Sequence, residues 1–279
     1  MDSRGVGDER LREEQMTRER LREGQMTLRG VETMTPDVRP GGTFIDTDLS
    51  ADLAAAALSV ARRFHDGATL WVISPQWEPH AHHVAVEFVH PVIVGKRALP
   101  SVALVDPDPV AQTRVASQPG DLLLAVASAD EPAVAEAMRR AQAWGVLTLW
   151  IGSGRRPAAG AADHILWIDS DDPMVPATGA FVLMYHLLWE LTHVCFEHPG
   201  LLKPRADECT DEVCVTCSDE GRLGEVVLEP ADDTGRALVR TAKGEEWVDV
   251  TMVGHVTPDD LILIHAGAAI TRLESEVGR

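Results

Sequence analysis

Apolar residues recur along this chain in two rhythms that change near residue 200. Residues 50–64 (SADLAAAALSVARRF) begin with Ser and Asp and continue with an Ala-rich helical periodicity, which predicts a helix. Residues 69–74 (TLWVIS) predict a short strand, and 79–89 a helix with Val84, Phe88 and Val89 on its apolar side. Further strands are predicted at 101–105, 121–127 (DLLLAVA), 146–151 and 164–168. An amphipathic helix over 131–144 is closed by Gly145, and a long apolar helix is expected over 178–196. Strands that are apolar throughout and alternate with helices predict an α/β fold, a doubly wound parallel sheet buried on both faces.

Beyond Cys217 the rhythm shortens. Segments 225–229, 237–241, 246–253, 261–265 and 268–273 are separated by turn signals at 232–235 and 243–244. They predict a small antiparallel β-barrel, OB-like, in which closure removes the exposed edges. The stretch 199–209 carries Pro, Gly, Lys and Asp, and the expected organisation is an extension at 1–41, an α/β domain at 42–200, a linker at 201–213, and the barrel at 214–274. Within the extension, LREEQMTRER is followed by LREGQMTLRG, a ten-residue repeat too short and polar to stack a core. Its composition predicts a disordered or weakly helical extension, and Met16, Met26 and Met34 are candidate start sites.

Charge narrows the functions. Lys and Arg number 25 against 44 Asp and Glu, a net charge of −19, so a phosphate backbone is repelled and nucleic-acid binding is not expected. The longest apolar run, 180–191, is interrupted by His186 and ends at Glu190, short of the roughly 20 residues that span a bilayer. The charged N-terminus has no signal-peptide core, and the expected location is cytoplasmic. The four cysteines are Cys195, Cys209, Cys214 and Cys217. Three of them cluster, which in a reducing compartment points to metal or thiol chemistry rather than disulfides.

The C-terminal segments carry a specific pattern. It runs Cys214, Gly224-Glu225-Val226-Val227, Ala237-Leu238-Val239, Met252-Val253-Gly254 and Leu263-Ile264-His265-Ala266-Gly267-Ala268-Ala269-Ile270. In order and spacing, residues 214–273 resemble the HypC/HupF family of [NiFe] hydrogenase maturation chaperones. The resemblance implies an assembly factor rather than an enzyme. It would escort an iron centre with cyanide and carbonyl ligands, binding a HypD-like scaffold protein and then the hydrogenase large-subunit precursor. It implies an iron ligand at Cys214 or Cys217, with His265 as partner ligand or hydrogen-bond donor, and a thiolate suits such iron. The chain departs from the family in placing this cysteine internally, within a Cys-x-x-Cys pair. Read alone, His265 is also compatible with a core histidine at a strand end. The spacing of Cys209, Cys214 and Cys217 is compatible with a structural metal clip, although no cysteine follows to complete a plant-type iron–sulfur set.

Residues 42–200 resemble SIS (sugar isomerase) domains, in particular the phosphoheptose isomerases. The residues that carry this are 70–74, His83 to Phe88, 121–128, and Ser170-Asp171-Asp172 leading to Tyr185-His186-Leu187-Leu188-Trp189-Glu190. The loops that cradle a sugar phosphate in that family are Gly- and Ser-rich. Here they read Ser74-Pro75-Gln76-Trp77-Glu78-Pro79 and Ala127-Ser128-Ala129-Asp130-Glu131-Pro132, acidic and short of N–H donors. Ordinary sugar-phosphate isomerisation is therefore not expected. His83 and Glu87 nevertheless lie four apart on one helix face. With His186 they match positions that serve the isomerases as metal ligands or acid/base groups, Glu87 and His186 being the candidate catalytic pair. A family glutamine falls at Thr178. Three N/O ligands with an open position suit zinc. The bland alternative is a surface His83 and a core His186, and nearby His80 and His82 raise the odds of chance spacing.

Three functions follow as expectations: a maturation chaperone on a SIS-like platform, a metal-dependent isomerase- or lyase-like enzyme acting on a small carbohydrate-like metabolite, and a ligand sensor. Self-association through the SIS-like domain is expected, since symmetric assembly is the default among oligomers. So is convergence of His83, Glu87 and His186 beyond the carboxyl ends of the strands.

Overall fold

The computed structural model describes residues 46–170, 172–203, 221–230 and 234–273. The N-terminal extension with its repeat, most of the proposed linker, and Cys209, Cys214 and Cys217 lie outside the described residues. By its internal contacts the chain divides into Met1–Phe44 and Ile45–Arg279, and every described residue belongs to the second unit.

The first layer is a parallel sheet. Its strands are β1 (Leu70–Ile73), β2 (Ser101–Leu104), β3 (Leu122–Val126), β4 (Leu147–Ser153) and β5 (His164–Ile168), in the order β2-β1-β3-β4-β5. Every neighbouring pair is parallel. Strand β3, at the centre, is buried at all its positions, as a strand covered on both faces must be. Helices α1 (Thr47–His65), α2 (Glu78–Val89) and α5 (Gly179–Glu197) share one apolar cluster with the sheet. Helix α4 (Pro132–Ala143) packs on the other face, beside α3 (Pro109–Ala116). Helix α1 starts where the Asp46 carboxylate accepts from the Leu49 N–H at 2.8 Å, a side-chain N-cap. Helix α5 meets the length and hydropathy of a membrane span, but Phe181, Met184, Tyr185, Leu188 and Trp189 bury its inner face in the core.

The second sheet closes. Strands β6 (Arg222–Leu228), β7 (Arg236–Thr241), β8 (Gly244–Asp249), β9 (Leu261–His265) and β10 (Ala268–Leu273) form a closed barrel in the order β10-β8-β7-β6-β9. It is not wholly antiparallel as expected: β10 joins β8 in parallel. Parity requires this, because strand directions cannot alternate all the way round a ring of five. The interior is small. A Cβ on Gly224 would lie 2.5 Å from Val239 Cγ1 and 2.6 Å from Ile264 Cδ1, so only glycine fits there. The β9–β10 hairpin turns through Ala266 and Gly267, both at positive φ, as a two-residue turn of this twist demands.

Two further expectations are corrected. Helix α3 lies in a stretch where none was predicted. The start of the proposed linker is docked: Leu202 is buried beside Ala61 and Cys195, and Arg62 Nε donates to the Leu201 carbonyl at 3.3 Å.

Candidate functional site

Helix α2 follows directly from β1, and its buried residues Ala81, Val84, Ala85 and Phe88 fix its rotation on the sheet. That rotation turns His83 and Glu87, one helical turn apart, toward α5. Helix α5 is held by Phe181, Met184, Tyr185 and Leu188, which brings His186 to the same spot. The ligand atoms of His83, Glu87 and His186 all lie within 4.8 Å of one another, about 100 residues of sequence having been closed by the fold. His83 Nε2 and His186 Nε2 are 3.3 Å apart, and His186 Nε2 is 3.8 Å from Glu87 Oε2.

This geometry fits a metal. Bonds of about 2.0–2.1 Å at tetrahedral angles place two ligand atoms about 3.3 Å apart. Two imidazole nitrogens and a carboxylate oxygen are also a zinc-type donor set. The outer support is present as well. Tyr185, 1% exposed, meets His83 Nδ1 through its hydroxyl at 2.9 Å. Burial, reinforced by the Glu87 charge, pushes the Tyr185 pKa up to about 12, so its hydroxyl stays neutral. An Nδ1–H donating to Tyr185 Oη leaves Nε2 with its lone pair toward His186, the arrangement a ligating histidine needs.

The remaining candidates fall elsewhere. His80 turns its Nε2 to the Pro176 carbonyl, and burial lowers its pKa. His82 pairs with exposed Glu78 at 3.2 Å. Thr178 caps α5: its hydroxyl accepts from the Ala180 N–H and donates to the Val175 carbonyl. His265 ends β9, half-buried in the barrel wall. Its proposed partners Cys214 and Cys217 lie outside the described residues. Tyr185 was quoted within the resemblance without a role. The signal was available, since it is the single tyrosine of the chain and directly precedes His186.

A cavity of about 430 Å³ opens beyond the carboxyl ends of β1, β3, β4 and β5. The strand order reverses between β1 and β3, where open α/β sheets form their ligand crevice. Gln76, Trp77, Ser128, Asp130, Arg155 and Asp172 are among its lining residues. Pro176 also lines it and accepts from or donates through no side chain of its own; its carbonyl is the partner of His80, one turn before His83.

The α/β part is similar in structure to a phosphoheptose isomerase from Francisella tularensis, at 18% identity and a TM-score of 0.47, over 53% of this chain and 88% of that one. A phosphoheptose isomerase from Neisseria gonorrhoeae aligns at 15% identity and a TM-score of 0.43, over 51% and 86%. The sugar isomerase domain of an RpiR transcription factor from Sphaerobacter thermophilus aligns at 18% and 0.40, over 55% and 81%. No protein-family model matches the sequence, and no curated protein matches it. The HypC/HupF resemblance therefore rests on its motif residues alone.

Proposed function

We propose that the α/β part performs metal-assisted acid/base chemistry on a small carbohydrate-like metabolite, of the isomerase or lyase kind. The observation that carries this is the convergence of His83, Glu87 and His186 at metal-ligand spacing. A zinc-type ion held by the two Nε2 atoms and the Glu87 carboxylate would supply Lewis-acid polarisation of a carbonyl. Glu87, with a side chain 14% exposed, would hold the ion through one carboxylate oxygen, and its other oxygen would take up or return a proton beside that centre. Tyr185 orients His83, and the crevice ahead of α2 supplies room for the substrate. Zinc titration by calorimetry tests the reading. In a Cys209→Ser/Cys214→Ser/Cys217→Ser background, which removes the thiolates, the chain is expected to bind one equivalent, and His83→Ala, Glu87→Gln and His186→Ala are each expected to weaken it at least about tenfold. Unchanged zinc binding when these last three are combined sinks it.

A second reading is the hydrogenase maturation chaperone, with iron carried as cargo between a HypD-like partner and the large-subunit precursor. It is favoured by the closed five-stranded barrel, with His265 at the foot of the β9–β10 hairpin. Normal hydrogenase maturation by a Cys214→Ala/Cys217→Ala double variant would end that reading without touching the first.

A further inference from the structure

The crevice beyond the sheet is built differently from an anion site, and the difference lies in the helix starts. A helix N-terminus attracts phosphate through free N–H groups and a partial positive charge. Helices α2 and α4 both begin at this crevice, after β1 and β3. Each has a proline within its first two positions, Pro79 and Pro132, so a donor is missing from each first turn. Each also has a glutamate at its start, Glu78 in the first turn of α2 and Glu131 at the N-cap of α4, which offsets the positive end of the dipole. Neither cap makes a side-chain hydrogen bond.

The lining agrees. Its charged members among the described residues are Asp130 and Asp172 against Arg155, an excess of carboxylate. Its neutral polar members are hydroxyls and an amide: Ser128 donates to Gln76 Oε1 at 3.2 Å across the crevice, Ser153 contributes from the end of β4 and Ser170 from the loop after β5. Trp77 adds an aromatic face at the start of α2. Hydroxyls, an amide, carboxylates and an indole are groups that recognise a ring of hydroxyls, by donating and accepting in pairs and by stacking on its C–H face. The same set repels a dianion.

We propose that this crevice takes an unphosphorylated, uncharged polyhydroxy compound, a free sugar or cyclitol, and excludes its phosphate ester. The proposal rests on the reading of the α/β part as acting on a carbohydrate-like metabolite, and names the class.

Saturation-transfer NMR on the full chain tests this with D-glucose, D-fructose and myo-inositol, the 6-phosphates of the two sugars, and inorganic phosphate. At least one unphosphorylated compound is expected to bind, at least about tenfold more tightly than its own ester. Excess inorganic phosphate is expected not to displace it. Trp77→Ala should weaken binding about tenfold. Asp130→Asn/Asp172→Asn, which leaves the indole in place, should narrow the gap between sugar and ester. Tighter binding of an ester, displacement by phosphate, or no binding by any of the three parent compounds overturns the proposal. Zinc titration of the same sample separates the two ideas. Zinc binding without sugar binding sinks this proposal and keeps the metal reading, and sugar binding without zinc does the reverse.

Discussion

Tyr185 ties His83 to the buried side of α5, and this bond carries a prediction distinct from that for the ligands themselves. Tyr185→Phe keeps the ring that packs in the core and removes only the hydroxyl 2.9 Å from His83 Nδ1. Loss of such an outer partner typically lowers metal affinity 10–100-fold. The expected outcome is a zinc affinity about tenfold weaker with little change in urea midpoint, measured by calorimetry and by denaturation. An unchanged zinc affinity would show that Tyr185 plays no part in holding the site. The residues of the site were legible in different degrees, for physical reasons. His83 and Glu87 stand out because the helical period alone puts them on one face. The positioning of His186 beside them needed the sheet, the short 3-10 turn at Val175–Ala177 and the packing of α5, which no local pattern encodes. Thr178, where a family glutamine falls, precedes a long apolar run, and the structure uses it as the cap of α5.

Strand β6 shows how an element can mislead a reader of sequence. Glu225 sits in an alternating segment, where a glutamate reads as solvent-facing, yet it is 2% exposed. Its carboxylate accepts from Arg114 on α3 at 2.7 Å, from Arg140 on α4, and from Trp144 Nε1 at 2.8 Å, with Arg240 of β7 at 3.8 Å. The first three partners come from 111, 85 and 81 residues away along the chain, too far for any periodicity to signal. Helix α3 was missed for a related reason: Pro109 and Thr113 are its buried residues, so it has almost no apolar stripe, and only Asp108 as cap and the following proline announced it. Glu225→Ala would remove the acceptor that Arg114, Arg140 and the Trp144 indole share, leaving Arg114 its pair with Asp259 and Arg140 its pair with Glu136. Removing one partner of a buried ion pair costs about 3–5 kcal/mol. Arg114 is 28% exposed and both arginines keep a second carboxylate, so the expected loss is at the low end, about 2–3 kcal/mol by urea unfolding. A loss within about 0.5 kcal/mol would mark the pairs as exposed in practice.

At the scale of the whole molecule, the sequence shows two kinds of sheet through its change of rhythm, but not that they are fused into one compact unit. The fusion is made by three independent contacts. Leu261, Leu223 and Leu273 of the barrel join the apolar cluster formed by Val134, Ala137, Met138 and Trp144 around α4. Glu225 draws together both arginines and the indole at the same seam. At Gly145, with φ +77°, a Cβ would fall 2.8 Å from Ala242 Cα, so the turn after α4 and the β7–β8 turn touch backbone to backbone. Apolar burial, charge pairing and close backbone approach at one seam make the barrel a docked part of the fold rather than a tethered one. A protease site placed within residues 204–220 tests this directly. After cleavage the two fragments are expected to co-elute on size exclusion at micromolar concentration, because the seam does not depend on the covalent connection. Glu225→Ala combined with Gly145→Ala should release the barrel fragment, since it removes the charge hub and inserts a methyl group against the Ala242 backbone. Fragments that separate without those substitutions would show that the peptide link, and not the seam, holds the barrel in place. In that case the crevice and the barrel would have to be treated as independently moving parts.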